Sequence, residues 1–210
     1  MNYDRLVLPA PLFTPDEPAG DAKRSFASRA GLKLDAALSI FPIDINAKIC
    51  ADLGANVGGF TDCLLRRGAA KDYAVDTAYG VLAWTLRKNP RVVVRDRTNA
   101  LHAKLPEPCD IISVDVGWTR QDKILPVVAT HLAPAGQVLT LVKPHYESEQ
   151  AKIQNGILTP DQSLETLWTV MDRIADMPLP NAQHWHIKGI MQSPLEGQKG
   201  NTEYIAWLTL

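Results

Sequence analysis

The chain has 210 residues, 46% hydrophobic and 7% aromatic, enough to bury one substantial core as a single domain with at most a small appendage. A net charge of −1 excludes the strongly basic body that grips nucleic acid by charge alone. No stretch approaches the roughly 20 consecutive apolar residues of a membrane helix, and MNYDRLVLPAPLF has neither a basic leader nor a long apolar core; no membrane association and a cytoplasmic location are expected. Cys50, Cys63 and Cys109 are odd in number and not closely spaced, which argues against a disulfide framework or a metal site and for reduced, buried thiols.

In chain order, residues 1–27 begin with Pro9, Pro11, Pro15 and Pro18 and read as a surface arm preceding a domain over 28–210. Acidic Asp16, Glu17 and Asp21 give way to Lys23, Arg24, Arg29 and Lys33, either a phosphate-contact edge or a solvated helix face. Ser28 reads as the cap of a helix to about Phe41, whose apolar Leu34, Ala37, Leu38 and Phe41 keep helical spacing. AKICADLG is a short buried strand, followed by a glycine turn and an amphipathic helix to Arg67, closed by Gly68. KDYAVD, RVVVRD, CDIISVD and QVLTLVK read as further strands, with helices over YGVLAWTLRK, Gln121 to Leu132 and Asp161 to Ala175. QHWHIKGIM and TEYIAWLTL alternate enough to pair as closing strands. Strands alternating with helices predict an α/β fold whose mostly parallel sheet is covered by helices on both faces. Ligands in such sheets sit beyond the carboxyl ends of the strands, so Asp52 to Gly59, Asp76, Asp96 to Asn99, Asp115 and Lys143 should share one rim.

The turn ADLGANVGGF places Gly54, Gly58 and Gly59 directly after the first strand, where bare backbone admits tight geometry and close approach of a ligand. Its spacing is neither the dinucleotide G-x-G-x-x-G nor a phosphate loop with G-K-[ST], which disfavours NAD and ATP. Asp76, ending the next strand, suits a pair of ribose hydroxyls, because one carboxylate can accept both hydrogen bonds. A nucleoside joined to a zwitterionic amino acid fits: S-adenosylmethionine. Taken alone, the same turn could be tight for packing reasons only.

The strings SRAGLKLDAAL, ADLGANVGGFTDCLLRRGAAKDYAVDTAYGVLAWTLRKNPRVVVRDRTNA, DIISVDV, LVKPHYE and KGNTEYIAWL together resemble the FtsJ-like ribose 2′-O-methyltransferases, especially the haemolysin A-like (TlyA) branch, over nearly everything from Ser28 to Leu210. The resemblance implies a Rossmann-like class I methyltransferase fold with a C-terminal antiparallel strand, S-adenosylmethionine as methyl donor, and 2′-O-methylation of structured RNA, typically ribosomal. It carries a catalytic Lys-Asp-Lys-Glu set onto Lys33, Asp115, Lys143 and Glu203, and cofactor contacts onto Asp52, Gly54, Asn56, Gly58, Gly59, Phe60, Asp76, Asn99 and Asp115. The branch ordinarily has an N-terminal S4-type RNA-binding module, which residues 1–27 are too short and proline-rich to form. An accessory RNA-binding protein, a homodimer or an assembled ribosomal particle is expected to supply that grip.

The residue types suit the chemistry independently. Methylating a ribose hydroxyl is an in-line displacement in which the protein removes a proton from a poor acid and aligns oxygen, carbon and sulfur. A lysine serves as base only when neutral; bringing Lys33 near Lys143 would disfavour a second positive charge, while Asp115 and Glu203 orient the amines. Lys143 is read as the proton acceptor. Lys33 orients the hydroxyl or a neighbouring phosphate, with Arg29 one turn earlier as a second phosphate contact. Against this stand a solvated lysine at 143, an edge charge at Glu203 and a core role for Phe60. His184 and His186 read as a structural pair, Trp84, Trp168 and Trp207 as packing residues, and Trp118 as a surface for stacking on base or cofactor. Two other functions remain open: a noncatalytic cofactor-binding regulatory protein, and an O-methyltransferase of a small hydroxylated metabolite.

Overall fold

In the computed structural model, which describes residues 7–9, 26–149 and 155–210, the strands are β1 (Ile49–Leu53), β2 (Lys71–Val75), β3 (Val92–Arg95), β4 (Cys109–Val114), β5 (Leu132–Val142), β6 (His186–Gln192) and β7 (Tyr204–Thr209). The helices are α1 (Ala30–Ile40), α2 (Gly59–Arg66), α3 (Trp84–Arg87), α4 (Gln121–His131), α5 (Pro144–Glu147) and α6 (Pro160–Ala175). One seven-stranded sheet runs β3-β2-β1-β4-β5-β7-β6. Its first five strands pair parallel, and β7 lies antiparallel between β5 and β6.

Side chains alternate along the strands, so each strand feeds two apolar layers. Ala51, Leu53, Ile112, Val114, Val138 and Val142 pack with Ile124, Leu125 and Val128 of α4 and with Leu167, Val170 and Met171 of α6. Cys50, Ile111, Leu139 and Leu141 meet Leu34, Ala37 and Leu38 of α1 and Phe60, Cys63 and Leu64 of α2 on the other face. Each such Leu or Ile side chain contributes roughly 2 kcal/mol of burial, which fixes the helices over the sheet and thereby the loops at its carboxyl edge. All three cysteines are free and buried. α6 starts at a reciprocal cap between Thr159 and Gln162, with Pro160 in its first turn, where a missing N–H costs nothing.

Three local expectations are corrected. Arg29, not Ser28, occupies the cap position of α1, and no side chain caps it; the Ser28 carbonyl instead accepts from Gly31 N–H. The helix expected over YGVLAWTLRK shrinks to the single turn α3, because backbone groups before it are engaged elsewhere: Ala83 N–H donates to Val57, Ala78 C=O accepts from Arg97, and Gly80 N–H donates to Asp96. Trp84 is therefore 65% exposed instead of packed. Of the amino-terminal arm, Leu8 forms a parallel bridge to Met191 on β6; the rest, apart from residues 7–9 and 26–27, lies outside the described residues.

Candidate active site

Strand register assembles the rim. Leu53 lies opposite Val114, Val114 opposite Thr140, and Val142 opposite Tyr204. Asp115 and Lys143 directly follow the carboxyl ends of β4 and β5. Because β7 runs the other way, Glu203, directly before it, reaches the same edge. α1 crosses this edge and brings Lys33 down to Glu203, where ammonium and carboxylate form a short hydrogen-bonded ion pair. Lys143 Nζ donates to Asp115 Oδ1 at 2.5 Å and lies 3.4 Å from the Val116 carbonyl. All four side chains line one cleft of about 530 Å³. They are largely desolvated, at 12% and 4% exposure for Lys33 and Glu203 and 15% and 19% for Lys143 and Asp115. Glu203 is thus no edge charge, since β7 is flanked on both sides, and Lys143 is no solvated lysine. Arg29 lines the cleft beside Lys33.

Asp52 is fully buried at the cleft floor. Its Oδ2 accepts from Thr61 N–H and Thr61 Oγ1, both at 2.9 Å, and Oδ1 accepts from Ser113 Oγ at 3.1 Å. Burial pushes its carboxyl up, against the pull of the Thr61 hydrogen bonds, and the Asp115 charge adds to the rise. Asp52 therefore ties the first turn of α2 to the sheet while facing the cleft. Gly54 and Asn56 line both this cleft and an adjoining cavity of about 310 Å³, shared also by Asp115 and Gly117. The smaller cavity is completed by Asp76, Thr77, Thr98 and Asn99. Asp76 accepts from Asn56 N–H and Ala78 N–H, both at 2.8 Å. Asn99 Oδ1 accepts from Leu101 N–H, which turns its side-chain amide into the holder of a short turn.

The glycines also serve packing. Gly54 has φ +91°, and a Cβ there would come within 2.4 Å of the Asp115 carbonyl oxygen. A Cβ on Gly58 would strike Leu86 and Leu82, and one on Gly59 would strike Ser28 Oγ and the Gly31 nitrogen. Gly58 and Gly59 line neither cavity: they let α3 and α1 pack close and so shape the turn from behind. Phe60 is buried among the α1 and α2 residues and also lines the cleft.

His145 escaped sequence reading. It lines the cleft two residues after Lys143, its Nδ1 is shut from solvent without a partner, and its ring lies 4.2 Å from that of Tyr146. Burial and then the Lys143 and Lys33 charges push its imidazole down to about 4, so it is neutral at physiological pH. The one signal available was its place in LVKPHYE, where Pro144 starts a helical turn that curls back over the rim. Tyr146 stacks on Trp118 at 4.7 Å between centroids, and Trp118 stands 84% exposed at the mouth with φ +59°. His184 and His186 are exposed and not bonded to each other, so the expected structural pair does not form. Among the described residues no three His, Cys, Asp or Glu side chains gather as a metal site.

Two amine–carboxylate pairs at one dry edge, beside a polar second chamber, can hold a hydroxyl between fixed donors and take its proton without a metal ligand set. The sequence profile of the FtsJ-like methyltransferase family matches residues 26–210. The chain is 37% identical over 194 residues to TlyA of Mycobacterium tuberculosis, a 16S/23S rRNA (cytidine-2′-O)-methyltransferase, covering 90% of this chain and 70% of that protein. It is 36% identical over 217 residues to YqxC of Bacillus subtilis, covering 99% and 74% respectively. A solved structure from Streptococcus thermophilus that carries a hemolysin designation superimposes with a TM-score of 0.81 at 36% identity, over 90% of this chain and 68% of that one. A Listeria monocytogenes structure of S-adenosylmethionine-dependent methyltransferase type shares the fold at 16% identity and a TM-score of 0.57, over 87% of this chain and 99% of that one.

Proposed function

The chain belongs to the FtsJ-like methyltransferase family, and from that membership we propose that it transfers a methyl group from S-adenosylmethionine to a ribose 2′-hydroxyl of ribosomal RNA. The observation that carries this reading is the meeting of Lys33, Asp115, Lys143 and Glu203 in two ion pairs at one cleft, from four separate elements. A fold retained only for binding has no physical need for such a set, since burying two amines and two carboxylates costs desolvation energy.

The residues present fit the cofactor. Asp76, at the end of β2, can accept from both ribose hydroxyls through the lone pairs its backbone bonds leave free. Thr77, Thr98 and Asn99 surround that chamber and suit the adenine. Gly54, Asn56 and Asp115, common to both cavities, suit the link between nucleoside and amino acid, whose charged ends the polar cleft floor can meet. When bound, the cofactor supplies an electrophilic methyl group on a sulfonium, whose positive charge vanishes as the methyl leaves.

For Lys143 to accept the proton of the ribose hydroxyl, its ammonium must first give up a proton to solvent. Asp115 keeps the amine aimed across the rim and stabilises the ammonium that results. Lys33, held by Glu203, positions the hydroxyl or the adjoining phosphate, and Arg29 adds a phosphate contact. Trp118, backed by Tyr146, offers a flat face for the base of the target nucleotide. The near-neutral chain (−1) leaves much of the RNA grip to other contacts; an accessory RNA-binding protein, a second copy of this chain or the assembling ribosomal particle would supply it. No helix among the described residues is long and apolar enough to cross a membrane, and an rRNA substrate places the work in the cytoplasm.

Transfer of label from methyl-tritiated S-adenosylmethionine to ribosomal RNA tests the proposal. Label in RNA with wild type, lost by about 10³-fold or more in Lys143→Ala, supports it; label confined to small molecules, or equal transfer by the variant, refutes it.

A further inference from the structure

We propose that the loops after β2 and β3 form a second RNA surface, a stacking platform made of Tyr79 and Trp84 with Arg97 and Lys88, which binds unpaired nucleotides flanking the methylated one. This rests on the reading of RNA as substrate.

Val57, Tyr79, Val81 and Trp84 are 38%, 69%, 39% and 65% exposed, and backbone hydrogen bonds tie together the segments that carry them. Ala83 N–H donates to the Val57 carbonyl and Arg97 N–H to that of Ala78, while Gly80 N–H reaches Asp96 Oδ2. Leaving these apolar side chains in water on segments pinned by those bonds brings no folding benefit. Such patches mark contact surfaces.

The charges say what the surface contacts. The Arg97 guanidinium carbon lies 4.3 Å from the Tyr79 ring centroid, and Lys88 Nζ lies 4.6 Å from that of Trp84. Each ring is thereby steadied on one face, leaving the other for a base, with a cation at its edge for a phosphate. Asp96, the acid among them, is neutralised by Arg87 at 2.9 and 3.1 Å. Lys88, Arg95 and Arg97 are exposed and form no ion pair with a carboxylate among the described residues. The platform is therefore locally cationic on a chain of net charge −1. Lysine is depleted from the cores of protein interfaces, yet here it sits on the largest exposed ring of the patch. Aromatic faces interleaved with exposed cations match single-stranded RNA. Asp76 and Thr77 on one loop, and Thr98 and Asn99 on the other, line the small cavity, so the platform continues the cofactor rim outward, away from Lys33 and Lys143.

The test uses the full chain and deproteinised ribosomal RNA, with Tyr79→Ala/Trp84→Ala and Lys88→Gln/Arg97→Gln variants. The aromatic pair variant should bind RNA more weakly by roughly 30-fold or more, and raise KM for RNA, with S-adenosylmethionine affinity within about twofold of wild type. Tyr79→Phe/Trp84→Phe should restore binding. The cation variant should lower the slope of log Kd against log salt by about 1.4, two single-strand phosphate contacts. Wild-type methylation with RNA affinity and salt slope unchanged in both variants would overturn the platform and leave the proposed function standing. Loss confined to assembled ribosomal particles, with free RNA bound normally, would assign the patch to a protein and overturn it too. A wild type that neither binds nor methylates RNA would overturn both readings.

Discussion

Replacing Glu203 by glutamine keeps the side chain's shape and removes its charge, leaving the Lys33 ammonium at 12% exposure without its carboxylate. Breaking a buried ion pair from one side costs about 3–5 kcal/mol; the cleft lets Lys33 regain some water, so roughly 2–4 kcal/mol is expected. For a fold of this size each kcal/mol lowers Tm by about 2–4 °C, which predicts a fall of roughly 5–15 °C. Removing the stranded charge as well, in Lys33→Met/Glu203→Gln, should restore most of that stability. The cycle then shows a coupling of about 1.5–3 kcal/mol. Activity should not follow stability: kcat should fall by about 10²-fold or more in both variants, with S-adenosylmethionine affinity within about threefold of wild type. Thermal unfolding by circular dichroism and single-turnover methyl transfer provide the readouts. A Glu203→Gln protein with unaltered Tm and undiminished kcat would refute the claim that this pair is both buried and mechanistic.

Gly54→Ala adds a Cβ at φ +91° within 2.4 Å of the Asp115 carbonyl and should cost about 2–4 kcal/mol by denaturant titration, with weakened cofactor binding by calorimetry. Asp72 is fully buried with both carboxylate oxygens unpartnered, and burial, then the neighbouring Asp52 charge, pushes its carboxyl up. A native value above the unfolded one gives stability that is present at low pH and lost as pH rises through the elevated value. The Tm of wild type relative to that of Asp72→Asn should therefore fall from about pH 4 to about pH 8 and level off above that. His145 carries the opposite sign: depressed to about 4 from an ordinary 6.5, it contributes stability above pH 6.5 that is lost as pH falls toward 4. His145→Gln should flatten that acid limb.

Much of the rim was legible because several parallel strands are apolar runs that end in a charged residue: KDYAVD at Asp76, DIISVD at Asp115, LVK at Lys143. Buried strands advertise themselves by such runs, and their carboxyl ends locate the ligand edge. Glu203 was less legible from its residues alone, since only the antiparallel insertion of β7 beside β5 turns a residue before a strand into a rim residue. The helix expected at YGVLAWTLRK failed because apolar spacing says nothing about long-range backbone partners such as Val57 and Asp96, which hold the loop open and put Trp84 in solvent. For Gly58 and Gly59, clearance for α3 and α1 cannot be distinguished in sequence from clearance for a ligand. His145 has no helical or strand periodicity to mark it; the curl of α5 brings its ring over the cleft.

Alkaline hydrolysis of the labelled RNA tests the central claim most directly. Cleavage by base requires a free 2′-hydroxyl, so a methyl placed there by the Lys33, Asp115, Lys143 and Glu203 cluster leaves the label in alkali-resistant dinucleotides. Label recovered in mononucleotides would place the methyl on a base and contradict the account.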